Sequence, residues 1–180
     1  MLNELLNEQK NQFAVPPQRA RQLLHGLLAY YQQFIAATSD DQAWHNQVAL
    51  AQFQTGRIQA GLGDFQAALV DLLMAVAAQE EHLSYHPDNT QRVYQLSNSL
   101  KSMGWVLKRL GKTNDAINVY REASTLRERL AGESPKNLHY QISHAHSIAK
   151  LGTLELYRQH FEQARRHFER ARKRYLEIIE

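Results

Sequence analysis

Residues 97–130 read SNSLKSMGWVLKRLGKTNDAINVYREASTLRERL, and this stretch decides the fold. Leu100, Met103 and Leu107, together with Leu96 just before them, recur at helical spacing. Ala116, Ile117, Tyr120, Ala123 and Leu126 do the same further on. Gly111 stands between the two runs, where a left-handed residue ends a helix at little cost. The stretch therefore spells two helices joined by a tight turn.

Sliding the chain against itself by 48 residues repeats this pattern on both sides. Gly56, Gly104 and Gly152 share one column, and Ala68, Ala116 and Ala164 another. Leu72, Tyr120 and Phe168 align, as do Ala75, Ala123 and Ala171. Gly63 falls on Gly111, Pro87 on Pro135, and Asn89 on Asn137, while Gln159 takes the place of the turn glycine. One step further back, Ala20, Leu24 and Leu27 enter the same columns and Ser39 takes the proline position. First helices are expected over 42–61, 90–110 and 138–158, and second helices over 65–84, 113–131 and 161–179. Residues 18–37 read as the second helix of an incomplete unit, with 1–12 the remnant of its first helix and Val15-Pro16-Pro17 the turn. Expected caps are Asp64, Asp88 or Asn89, Thr113 or Asn114, and Ser134 before Pro135. A mid-helix glycine costs about 1 kcal/mol relative to alanine. Three of them in one column imply that a neighbouring helix comes close, and the alanines at 68, 116 and 164 are expected to face them.

The rest of the chain narrows the function classes. It has 180 residues, 43% hydrophobic and 22% charged, enough apolar content for a core. Four prolines and eight glycines are few for an all-β protein, and the absence of cysteine excludes disulfides, thiolate metal sites and a thiol nucleophile. No apolar run approaches the ~20 residues that span a bilayer, and the N-terminal MLNELLNEQK lacks the long apolar stretch of a secretory signal. A cytoplasmic protein that does not engage membranes is the expectation. Charge is uneven: residues 1–90 hold 4 Lys/Arg against 9 Asp/Glu, and residues 91–180 hold 17 against 9. The second half thus favours an acidic partner, unless the arginines merely solvate a helical surface.

Catalysis needs converging acid, base, nucleophile or metal groups, and the nine histidines are the candidates. His144 and His146 are two apart and His160 and His167 seven apart, neither being the spacing of a two-histidine ligand pair. His82 and His86 have it, beside Glu80 and Glu81, but two ligands near a helix end do not complete a site. No phosphate loop, dinucleotide fingerprint, nucleophile elbow or HExxH string occurs. A non-enzymatic protein with no metal or cofactor is expected.

The spacing of Leu100, Met103, Gly104, Gly111, Ala116, Tyr120 and Ala123 resembles the tetratricopeptide repeat. The strings HPDN…SNSLKSMGWVLKRLGKTNDAINVYREASTLRERL and SPKNLHYQISHAHSIAKLGTLELYRQHFEQARRHF further resemble a bacterial subclass with P-x-N, L-S-x-S and A-L-x-x-Y elements at this longer period. The likeness covers residues 15–180 and departs at Gln52, Thr55 and Gln159. It implies an all-α, right-handed superhelical solenoid of antiparallel helix pairs forming a single domain over 1–180. Its parts would be an incomplete repeat at 1–38 and three helix pairs at 39–86, 87–134 and 135–180. The chain would stop at Glu180 in or just after its last helix, with no added capping helix.

The resemblance also implies binding on a concave side lined by the first helix of each pair. Carried onto this chain, those positions hold Leu50, Phe53 and Arg57; then Asn98, Lys101, Trp105, Lys108 and Arg109; then His146, Ala149, Thr153, Leu156 and Tyr157. Asn98, Lys101, Trp105 and Lys108 share one helix face, apart from the stripe of Leu96, Leu100, Met103 and Leu107. A tryptophan among lysines can stack on a ligand while the cations meet carboxylates, or it can pack on the next repeat under lysine stems. Arg57, Asn98, Lys101, Trp105, Lys108, Arg109, His146 and Tyr157 are the candidate contacts for a protein or peptide partner of acidic character. Arg165, Arg166, Arg170, Arg172 and Arg174 on the last helix form a second positive region. It could meet nucleic acid or an acidic partner, although Glu162 and Glu169 sit at pairing distance along the helix. Self-association into a homodimer through that helix is the third reading.

Overall fold

A computed structural model of the chain describes residues 18–39, 41 and 44–179. The expected helix remnant at 1–12 and the turn at Val15-Pro16-Pro17 lie outside these residues. Among the described residues there are seven helices and no strand: α1 (Gln18–Thr38), α2 (His45–Leu62), α3 (Phe65–Tyr85), α4 (Thr90–Arg109), α5 (Thr113–Glu133), α6 (Leu138–Tyr157) and α7 (Phe161–Ile179). They follow the expected order of first and second helices within a residue or three at each end. The fold is an all-α solenoid of helix pairs. It divides into two compact units, one up to Ala75 and one from Val76.

In the N-terminal unit α1 packs on α2, and no residue of α1 is buried. That is the outcome for a second helix lacking its first among the described residues. α2 buries Val48, Ala49, Ala51 and Ala60 and, between them, Gln52 and Thr55 where the repeat has apolar side chains. The Thr55 hydroxyl donates to the Gln52 carbonyl at 2.9 Å, so this buried polar group is satisfied within its own helix. In the C-terminal unit α5 packs on α4 and α6, and α6 on α7. The core there is built from Val93, Leu96, Leu100, Val106, Ile117, Tyr120, Leu130, Ile148 and Leu154.

The column of mid-helix glycines has a different partner from the one its spacing suggests. A Cβ at Gly104 would stand 2.9 Å from the Tyr120 ring, and one at Gly152 would stand 3.0 Å from the Phe168 ring. At Gly56 the nearest atom would be Leu72 Cγ at 2.7 Å, with the Ala68 carbonyl at 3.1 Å. The large residue of the second helix fills the notch, and the alanine four positions earlier lets the helices come together around it.

Both kinds of turn recur. Within each pair a residue of positive φ ends the first helix: Gly63 at 93°, Gly111 at 77° and Gln159 at 62°. Each is followed by the same six-residue backbone bond, Asp64 to Gln59, Lys112 to Leu107 and His160 to Glu155, all 2.9 Å. Gln159 holds a left-handed conformation that glycine adopts without steric cost. Gln159→Gly is therefore expected to raise stability by about 0.5–1 kcal/mol in urea denaturation. Between pairs the proline occupies the turn and the asparagine two residues later is the cap. Asn89 accepts from the Arg92 amide, and Asn137 from the His139 and Tyr140 amides. Ser134 instead offers its carbonyl to the Asn137 amide at 2.9 Å, closing the turn. Asp64 caps α3 through the Ala67 amide as expected, whereas α5 has Lys112 at its cap position and no side-chain cap, so neither Thr113 nor Asn114 serves as one.

Candidate functional site

The buried stripe of α4 leaves its other side to Lys101, Trp105, Lys108 and Arg109. Lys101 and Arg109 are exposed, and Trp105 and Lys108 are half-buried. The Arg109 guanidinium stands 5.5 Å from the Trp105 ring centroid, so the indole already carries a cation. The Lys108 ammonium lies 3.7 Å over the Tyr157 ring, which ties the end of α4 to the end of α6. At the opposite ends of the same two helices the Tyr94 hydroxyl meets His139 Nε2 at 2.6 Å, with Tyr140 packed beside them. First helices of adjacent pairs are thus pinned at both ends, and Lys101 and Trp105 lie between the pins.

Positive charge is concentrated there. Burial, and then the Lys108 cation, hold the Lys150 ammonium below its ordinary value, and its nitrogen sits 5.7 Å from the Tyr120 ring. His146 is pushed down by burial first and then by Arg127 and Lys101, and its ring meets Tyr175 edge-on at 5.7 Å. Asn98 is half-buried, and its Oδ1 accepts from Arg127 Nη2 at 3.1 Å. Arg57 belongs to the N-terminal unit, where it is exposed, bonds Gln54 Oε1 at 3.4 Å and lies 5.5 Å from the Phe53 ring. The other seven candidate contacts all fall in the C-terminal unit.

Two residues behind this surface escape the sequence reading. Arg127 is 5% exposed, and its other bonds go to Ser97 Oγ at 3.5 Å and to the Ser143 carbonyl at 3.3 Å. Burial lowers its pKa from the ordinary arginine value. Glu155 is 2% exposed and gathers Arg121 at 3.2 Å, His160 at 2.9 Å and Arg158 at 3.8 Å. Both could have been found by counting along the apolar stripes. Arg127 continues Ala116, Tyr120 and Ala123, and Glu155 continues Ile148 and Leu151.

On α7, Arg165 pairs with Glu162 at 3.2 Å and Glu169 at 4.0 Å, and Arg174 with Glu177 at 3.1 Å. Arg166, Arg170 and Arg172 make no ion pair among the described residues. Burial, with Arg170 the leading cation, pushes His167 below its ordinary value; burial also pushes His144 down, with Arg174 and Arg170 adding to that against the opposing charge of Glu128. His82 and His86 gather no third ligand: among the described residues no group of three His, Asp or Glu could hold a metal ion. No helix among them is long and apolar enough to cross a membrane.

Comparison with curated proteins gives no match. Among solved structures, the chain is similar to nearly identical TPR-like repeats from a Podosopora anserina protein described as a kinesin light chain. The two share 17% identity over 95% of this chain and 91% of that one, with a TM-score of 0.46. Residues 97–135, which hold the last 13 residues of α4 and all of α5, match the tetratricopeptide repeat family. Repeats of this family generally mediate protein–protein interaction and are typically non-enzymatic. The match falls on the central helix pair, and the pairs on either side repeat the same glycine, alanine and large-residue columns.

Proposed function

We propose that the chain is a non-enzymatic scaffold that holds an acidic segment of a protein partner against the basic face of α4 and α6. The observation that carries this reading is the cluster of Lys101, Trp105, Lys108 and Arg109 off the buried stripe of α4, with the Lys108 ammonium 3.7 Å over the Tyr157 ring of α6 and Lys150 close enough to feel its charge. Like charges held together on a preformed surface raise each other's energy, and an incoming carboxylate relieves that. Trp105 and Tyr157 supply flat apolar area beside the cations, a combination that anchors peptides well. Lys101, Lys108 and Arg109 select charge, and Trp105 fixes position.

The test is a nuclease-treated pull-down comparing the wild type with Lys101→Glu/Lys108→Glu and with Lys101→Glu/Trp105→Ala/Lys108→Glu. A protein captured by the wild type and lost with both variants is the expected result. Material that adheres equally to all three, or vanishes on nuclease treatment, overturns it and moves attention to the arginines of α7.

A further inference from the structure

We propose that the outer face of the α6–α7 pair is a second docking site, for an acidic amphipathic helix of a partner protein. Two hollows run along it. One, of about 380 Å³, is bordered by Leu156, Phe161, Phe168, Arg165 and Arg172. The next, of about 540 Å³, is bordered by Ile142, Phe168, Arg172, Tyr175 and Ile179. Phe168 and Arg172 belong to both, so the hollows form one groove along α7. Its ends are open, with Phe161 63% and Ile179 78% exposed.

The repeat itself shows what such a groove accepts. One period earlier, the columns of Ile142, Phe168, Arg172 and Tyr175 hold Tyr94, Tyr120, Ser124 and Arg127. There the face is covered by a helix, α6. Tyr94 bonds His139, Ser124 shares a hydrogen bond of 3.0 Å with Ser147, and Arg127 donates to the Ser143 carbonyl. Tyr120 is 3% exposed under that cover, whereas Phe168 in the same column is 39% exposed.

Charge selects the kind of helix. α7 carries six Lys/Arg against three Glu, and Arg165 and Arg172 stand seven residues apart on the edge of the groove. Glu169 lies between them and, with Glu162, pairs with Arg165, while Arg172 makes no ion pair among the described residues. Seven residues are two turns, about 10 Å along the axis. The matching ligand has an apolar stripe flanked by carboxylates two turns apart. A second copy fits worse, because a two-fold contact would set α7 against α7 and arginine against arginine.

The experiment uses the full chain and two synthetic 20-residue helical peptides with a leucine stripe, one with glutamates two turns apart and one with lysines there, read by fluorescence anisotropy. The glutamate peptide is expected to bind the wild type and to lose at least tenfold in affinity for Arg165→Glu/Arg172→Glu, which prefers the lysine peptide instead. Both arginines are exposed, so the fold survives their reversal, and circular dichroism checks this. In a Lys101→Glu/Lys108→Glu background the α7 reversal still costs the glutamate peptide at least tenfold, which separates the site from the α4–α6 face. Equal binding of the two peptides, no binding, or insensitivity to the α7 reversal overturns the proposal. So does a homodimer in light scattering that Ile179→Asp dissolves, since the groove then belongs to a second copy.

Discussion

Tyr120→Ala is expected to lower stability by about 3–5 kcal/mol, the range for removing a buried aromatic side chain from a close-packed core. The ring is 3% exposed and fills the notch that Gly104 leaves on the facing helix. Gly104→Leu attacks the same contact from the other side. Its Cβ alone would stand 2.9 Å from the ring, so overpacking is expected to cost about 1–3 kcal/mol despite the gain in helix propensity. The two changes are complementary in volume. The double variant should therefore be more stable than the sum of the single losses implies, by about 1 kcal/mol or more. Urea denaturation followed by far-ultraviolet circular dichroism measures all three. Additive losses would mean that glycine and ring do not share one space.

Arg127→Ala is expected to cost about 2–4 kcal/mol, and Arg127→Met less than about 1.5 kcal/mol. Alanine removes a long buried stem and leaves Asn98 Oδ1 and the Ser143 carbonyl without their donor. Methionine restores the packing and takes a charge out of the core, which often offsets the lost hydrogen bonds. The same substitution has an electrostatic readout. Arg127 is one of the cations that push His146 down, so Arg127→Met should move the His146 pKa up, toward the ordinary histidine value, in an NMR titration. Burial still holds it below that value. An unchanged His146 would mean that the guanidinium and the basic face do not sense each other.

The architecture was legible because several kinds of residue repeat together. A glycine column alone could mark a turn, but glycine, alanine, large residue and proline recurring at one period leave little besides stacked helix pairs. What the period could not supply was which side chain enters the glycine notch. Alanine and the large residue are four apart and share a helix face, and only the packed structure puts the ring, not the methyl, over Gly104. Asp64 and Asn89 cap as expected, and the expectation of Ser134 failed for a similar reason. Serine, aspartate and asparagine are near-equal N-cap residues, and the turn built around Pro87 and Pro135 decides that the asparagine arrives at the right place.

For the surface, subtracting the apolar stripe of α4 was enough to leave Lys101, Trp105, Lys108 and Arg109 off the core. It was not enough for Arg127 and Glu155, because charged residues are counted as solvated unless their place in a stripe is checked. Each lies at a stripe position and is buried with polar company from a neighbouring element. The groove along α7 had a weaker signature. Arginine and phenylalanine alternate there at helical spacing, which reads as an ordinary amphipathic helix until the covered pair next to it gives the comparison.

The pairing of neighbours has a kinetic consequence. Side-chain hydrogen bonds here join helices of neighbouring pairs, as Tyr94 and His139 do across 45 residues. Chains whose contacts are this local close short loops and fold fast, starting from whichever pair forms first. Loosening can begin at a pair just as folding can. α7 buries only Ala164 and Ala171 and, among the described residues, is covered on one side by α6 alone, so its amides belong to the segment that is expected to open and exchange hydrogen earliest within the C-terminal unit. A helix seated along its open side would slow that exchange before it altered anything else in the molecule.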